Sequence, residues 1–372
     1  MPNEPNFMGR DGFLWFHGVV EDRMDPDQLG RVKVRILGCH TKDKSYIATE
    51  DLQWAYVMMP ITSASMNGIG ESPIGVVPGS WVLGFFRDGS AMQEPCIIGT
   101  LGGIPQDGPN KGEGFNDPRD SSGTTETLAS SPRHIASRSY PKDGSGAKLT
   151  NDTKGPVYPN ILNEPDTNRI ARNSNTSSTI LQIIRNIIDT NVPISFSGSW
   201  NEPGIWYNGK YPYVHVLESE SGHIKVTDDT PNSEGELSFN RTGTFEQIQT
   251  DGTKITKIVG DGYTIVMRGN HVHVMNNENE RFDKEYNVSV GGRWNVEVSG
   301  NINILCHGSL YAKVNGEADI TVGGSAKIKA QDVSLTTIKL DIKSAGPIAI
   351  DAPKVDINMG TAAPKVPVEP KK

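Results

Sequence analysis

The chain has 372 residues, 22% charged and 35% hydrophobic, with a formal net charge of −8 and a pI near 5.6. No run of Lys and Arg offers an electrostatic footprint for a phosphate backbone, which excludes nucleic acid as a partner. Cys39, Cys96 and Cys306 are too few, too scattered and odd in number for a disulfide framework or a zinc site, so assembly in a reducing cytoplasm is expected.

The opening "MPNEPNFMGRDGFLWF" lacks a basic segment followed by an apolar one, and no run of 18 apolar residues occurs, so neither a secretory leader nor a membrane span is expected. With 40 Gly, 24 Pro and apolar residues rich in Val and Ile, the expected fold class is all-β.

After an N-terminal arm at residues 1–12, short alternating apolar runs fill residues 13–120, punctuated by turn signals such as Asp25-Pro26 and Pro78-Gly79. About five strands in this length suit a small Greek-key barrel, though periodicity does not separate an OB-fold from an SH3-like barrel. Val32, Val34 and Ile36 alternate with Arg31, Lys33 and Arg35, which predicts a strand with one face in water. The stretch "DPDQLGRVKVR" lacks the spacing of a calcium loop and reads as a turn entering that strand. "GIGESPIG" has neither a strand-to-helix context nor a Lys-Ser/Thr, so it reads as a loop and not as a phosphate cradle.

Residues 121–205 are rich in Ser, Thr, Gly, Pro and Asp and predict an extended linker without a core of its own. Within it, residues 178–189 have helical spacing, with Ile180, Ile183, Ile184 and Ile187 on one face behind Ser178. Residues 206–251 are expected to begin a β-helix. Their "YPYVHVLESESGHIKVTDDTP" places Glu218 and Glu220 in the parity of Val214 and Val216. Carboxylates on an inward face need partners, and Glu218, Glu220 and His223 are expected to form a structural polar layer, a catalytic carboxylate pair being the other reading.

From residue 252 to 330 the chain repeats. Gly292, Gly300, Gly308, Gly316 and Gly324 are eight apart, and the same register backward reaches Lys284, Asn276, Arg268, Gly260 and Gly252. Apolar residues sit two, four and six places after each corner: Trp294, Val296 and Val298; Ile302, Ile304 and Cys306; Leu310 and Val314; Ile320 and Val322; Ile328. Period two within an octad means one strand plus a corner. One such strand exposes an apolar row that it cannot bury, and three inward residues per octad do not enclose an axis. Several chains wound together do, three being the smallest closed number, and a homotrimeric β-prism with these residues as its core is expected. His271 and His273 are the candidate metal pair, but Val272 and Val274 hold the inward register and turn both imidazoles outward. Cys306 reads as a small apolar filler. Residues 331–360, whose parity flips at Gln331-Asp332, Thr336-Thr337 and Asp351-Ala352-Pro353, are expected to form the narrowing tip, and 361–372 a Pro-rich tail.

"WFHGVVEDRMDPDQLGRVKVRILGCH", "MPITSASMNGIG", "IIGTLGGIP" with "NKGEGFNDP", the stretch from Tyr211 and the octads together resemble the central spike of the T-even-type bacteriophage baseplate hub, a family that includes the spike half of type VI secretion VgrG proteins. The resemblance implies an OB-fold domain seated on a hub ring, then a trimeric intertwined β-helix that contacts and punctures the host outer membrane. It also leaves room for a PAAR-type protein at the C-terminal end. The implied localisation is the virion tail baseplate, assembled in the host cytoplasm, with no cofactor. In the best-known member a lysozyme domain lies between these parts and uses a Glu, an Asp nine residues on and a Thr six further. Nine places after Glu113, Glu126, Glu164 and Glu202 stand Ser122, Ile135, Asn173 and Tyr211, and the intervening segment is short for a packed domain of roughly 100 residues. A spike without catalytic residues is therefore expected. The alternatives are a polysaccharide- or peptidoglycan-degrading enzyme on a β-helical trunk and a VgrG-like secretion spike.

Overall fold

The computed structural model describes residues 12–118, 163, 165–173, 188–204, 207–219, 223–240 and 242–355. The N-terminal arm but for Gly12, the greater part of the expected linker, its helix up to residue 187, and the tail lie outside these residues. The chain divides into two compact units, Met1–Tyr286 and Asn287–Lys372.

In the first unit, β1 (Leu14–Asp22), β2 (Val32–Ile36), β3 (Trp54–Val57), β4 (Trp81–Phe86) and β5 (Pro95–Leu101) close a barrel in the order β1-β2-β3-β5-β4. All pairs are antiparallel except β3 with β5. That five-stranded closure is the OB-fold, the alternative that periodicity left open. Phe16, Val20, Val32, Val34, Ile36, Val82, Phe86 and Ile97 fill its interior, each such side chain contributing about 1.5–3 kcal/mol of transfer free energy.

The second face of β2 is not in water: all five of its residues are buried. The Arg35 guanidinium is closed off completely, meeting the equally buried Glu21 carboxylate of β1 at 2.6 and 3.1 Å and the carbonyls of Thr41 and Ile47 at 2.7 and 2.9 Å. The Thr49 hydroxyl donates to the same carboxylate at 2.7 Å. Gly114 lies so close that a Cβ there would stand 2.3 Å from Arg35 Cδ, so the 110–118 segment seals the pair. Alternation correctly gave the strand but not this lid, which comes from residues about eighty positions on. At the turn before β2, Asp25 accepts from the Arg31 side chain at 2.7 and 3.1 Å and from the backbone amides of Asp27, Leu29 and Arg31. Arg31 above all, then those amides against burial, holds this carboxyl far below its ordinary range, and the segment is the turn that the sequence predicts.

A second sheet, in the order β12-β11-β10-β9-β8, is an antiparallel meander of β8 (Val214–Glu218), β9 (Ile224–Asp228), β10 (Gly235–Phe239), β11 (Phe245–Ile248) and β12 (Lys254–Lys257). Alternation is clean: Ile224, Val226, Leu237, Phe239 and Phe245 are buried while their strand neighbours face out. This corrects the expectation of a β-helix starting at 206–251. Tight connections such as the turn Gln249–Thr253 let strands pair with the next in their own chain, so the segment folds back on itself.

Beyond β12 the character changes. The backbone runs extended, with bends at 259–260, 267–268, 275–276, 283–284, 291–292, 299–300, 307–308, 315–316 and 323–324, a bend at each expected octad corner from Gly260 to Gly324, including the three that lack glycine. From 324 the bends fall at 331, 338, 345–346 and 353. A seven-residue step flips the inward face and an eight-residue step keeps it, which accounts for the parity changes seen in the sequence. The bend at Ala345-Gly346 was not expected, because an eight-residue step leaves no parity signature.

Glu21→Ala leaves the Arg35 guanidinium buried without its carboxylate and is expected to destabilise the barrel by about 3–5 kcal/mol, read from urea unfolding. Burial raises the Glu21 pKa, but hydrogen bonds from Arg35 and Thr49 and the charges of Lys44 and Arg35 outweigh it and set it below the ordinary carboxylate value. Its stabilisation is complete above the unfolded-state pKa and is lost as pH falls through the lowered folded value. The acid limb of the barrel's unfolding profile should therefore flatten in Glu21→Ala.

Candidate interaction surfaces

Three features of the described residues bear on how the molecule could meet other groups. The first is a strap. Residues 163 and 165–173 run from the barrel into the sheet core: Asn163 donates its amide to the Pro105 carbonyl at 2.8 Å, and Asp166 donates to Gly103 O at 2.9 Å while its carboxylate accepts from Gly103 N at 2.8 Å. At the other end Ile170 and Ala171 are buried among Val214, Ile224, Val226 and Phe239, and the Tyr207 hydroxyl donates to the Ile170 carbonyl. Burial first, with Asp228 nearby, pushes the Tyr207 phenol up, well above its ordinary value, so it stays a neutral donor.

The expected linker thus supplies core residues where it passes the sheet. Val192–Pro193 (β6) pairs with Ser199–Trp200 (β7), and Glu202 joins Lys257 of β12 at 2.7 Å. The local signal for the strap was "DTNRIA": Asn168 Oδ1 caps the Ile170 amide at 2.9 Å, a short polar turn that delivers two apolar residues. A cleft of about 800 Å³ lies between the strap and the 75–81 and 100–107 segments of the barrel. Among the described residues no group of three or more His, Cys, Asp or Glu is arranged to hold a metal ion.

The expected polar layer is not assembled as a set. Glu218 is half-buried on the inward face of β8, where its carboxylate accepts from Asn168 Nδ2. Glu220 lies outside the described residues. His223 is exposed, and its carbonyl accepts from the Ser219 amide at 2.9 Å. The register explains this: His223 precedes Ile224, which is inward, so it falls on the opposite face. Two other polar groups were missed in the sheet. Asp228 Oδ2 and Gln247 Nε2 are buried and have no hydrogen-bond partner among the described residues; Gln247 holds an inward position of β11 that alternation alone marks as core.

The trunk is the second surface. Trp294, Val296, Val298, Ile302, Ile304, Leu310, Val314, Ile320, Val322 and Ile328 all face solvent in the single chain, Ile320 and Ile328 at 86% and 85% exposure. Cys306 is exposed as well, and so are His271 and His273. Among the described residues from 260 to 355, no backbone–backbone hydrogen bond is made within the chain. The third surface, on the barrel, is taken up below.

Residues 38–125 match the family described as the Gp5 N-terminal OB domain. Over 304 residues the chain is 40% identical to Protein Gp5 of Vibrio phage KVP40, covering 73% of this chain and 64% of that protein. Over 109 residues it is 50% identical to the pre-baseplate central spike protein Gp5 of Enterobacteria phage T4, covering 28% of this chain and 19% of that protein. The chain thus matches less than two thirds of the length of either relative.

Ile170→Ala empties the anchor of the strap and is expected to cost about 2–5 kcal/mol, measured as a lowered urea midpoint together with faster amide exchange in residues 224–239.

Proposed function

We propose that this chain, a relative of the Gp5 spike proteins with an N-terminal OB domain of their kind, is the central spike of a contractile phage tail baseplate. It acts as a homotrimer, seated through the OB domain on a ring of hub proteins below the tail tube. Its trunk, from about residue 252, is a three-chain intertwined β-helix that passes through the host outer membrane when the tail contracts. The barrel (13–120) is the hub-binding part of this device and residues 331–360 are its narrowing tip, which leaves room for a PAAR-type protein.

One observation carries the reading: from residue 260 to 355 an extended chain bends every seven or eight residues, makes no backbone–backbone hydrogen bond with itself and leaves its apolar row in water. Backbone N–H and C=O groups removed from water need partners, and an apolar row of this length is an interface and not a stable surface. Winding three copies together answers both needs and leaves few open edges. The corners Gly252, Gly260, Gly292, Gly300, Gly308, Gly316 and Gly324 then turn the strands. The core is Trp294, Val296, Val298, Ile302, Ile304, Cys306, Leu310, Val314, Ile320, Val322 and Ile328.

The chain has no muramidase activity in this reading, because none of its Glu residues between the barrel and the sheet is followed at nine positions by an Asp. The cell-wall step falls to another virion protein.

Sedimentation equilibrium of the purified chain should give three times its 40.4 kDa mass; a monomer refutes the spike reading. The same preparation should release no soluble fragments from peptidoglycan, and measurable release removes the non-enzymatic assignment while leaving the trimer intact.

A further inference from the structure

The β3–β4 connection is built as a finger. Residues 58–76 carry a single charged residue, Glu71, yet the segment is tightly pinned. Ser63 donates its amide to Pro60 O at 2.8 Å and its hydroxyl to Glu71 O at 3.1 Å, and Ile69 donates to Met66 O at 2.9 Å. Ser65 and Asn67 are held at φ of 47° and 50°, a left-handed conformation that persists only where its surroundings enforce it. The base rests on the β1–β2 turn, where a Cβ on Gly30 would come within 2.4 Å of Pro73 O. This fixed frame presents Ile61, Met66, Ile69 and Ile74 to water at 102%, 66%, 66% and 69% exposure. Loops that need only solubility do not hold four large aliphatic side chains outward.

The same barrel carries a second apolar surface. Phe13 and Trp15 lie with Phe85 in a three-ring cluster, centroids 5.1–5.8 Å apart, while Phe13 and Trp15 remain 44% and 54% exposed. By register this ledge is at the start of β1, opposite Phe85 and Phe86 of β4. The finger rests instead beside the end of β1 and the start of β2. Ledge and finger therefore belong to opposite ends of one barrel and cannot meet within it.

We propose that the finger of one copy docks on the aromatic ledge of the next copy, head to tail, so that the barrels close into a ring; this rests on the trimeric reading above. Two different, mutually complementary patches on one subunit are what a heterologous interface requires, and such contacts close into rings when the rotation permits. Methionine against aromatic edges is favourable in its own right. Area decides which occupant fits. The finger and ledge offer six large side chains, whereas a freely associating interface uses roughly 20–30 residues on each side. A contact this small suits a partner already tethered nearby, and chains joined through a common trunk supply each other at an effective concentration on the order of millimolar.

The test uses the full chain with exposed Cys39 changed to Ser, and with Phe13→Cys and Ile69→Cys introduced singly and together, treated with a short bismaleimide; the Cys39→Ser parent gives the background from the remaining thiols. The double variant should give covalently joined dimers and trimers on denaturing gels, and neither single variant should. Equal cross-linking by a single variant overturns the head-to-tail contact in favour of like-to-like packing. No cross-linking in a chain that still sediments as a trimer overturns the proposal and assigns both patches to a different protein, leaving the spike reading intact. A monomer defeats both.

Discussion

Every extended chain must find partners for its backbone N–H and C=O groups, and the stretches before and after residue 260 answer that demand in different ways. In the barrel and the meander, short connections bring each strand beside another strand of the same chain, so pairing and burial are completed together. In the trunk, a bend every seven or eight residues turns the chain before it can return on itself. The geometry of the connections, more than the strand residues themselves, determines whether a segment is complete alone. Val and Ile alternate in β9 and in the octads alike; β9 has a neighbour within the chain and the octads do not.

The barrel shows what a self-sufficient fold does with a buried charge. Arg35 keeps four hydrogen bonds to Glu21, Thr41 and Ile47, drawing the loop after β2 inward, and the 110–118 segment lies over it. Replacing such a pair with apolar residues is often no loss in stability. Its distinctive contribution is positional: two loops without regular structure are held in one arrangement. The strap does similar work between the barrel and the sheet, with Asp166 at one end and Ile170 at the other.

The barrel strands and the shared parity of Val214 and Val216 were legible in the sequence, because each depends on a local period of two, and the eight-residue spacing of the glycines coincides with the bends. Corners without glycine, at Arg268, Asn276 and Lys284, were found from spacing alone and bend like the rest. Burial of Arg35 was not legible, since its lid is distant in sequence and contains no apolar signal. The strap was concealed by composition: one Ile and one Ala in a polar tract look like linker until the sheet that receives them is in place. His223 lies off the inward face that Val214, Val216 and Glu218 share, because it directly precedes the inward Ile224. The finger was recognised only as a loop, as no pattern of residues announces that a turn is pinned.

The shift from eight-residue to mostly seven-residue steps after Gly324 has a mechanical consequence. In the three-chain prism proposed above, the residues between successive bends would set the length of each side, so a shorter step would give a smaller cross-section. For a fixed axial force, pressure rises as the area bearing it falls. Loss of one residue from most of the steps, invisible in composition, is how such a prism would narrow toward that end.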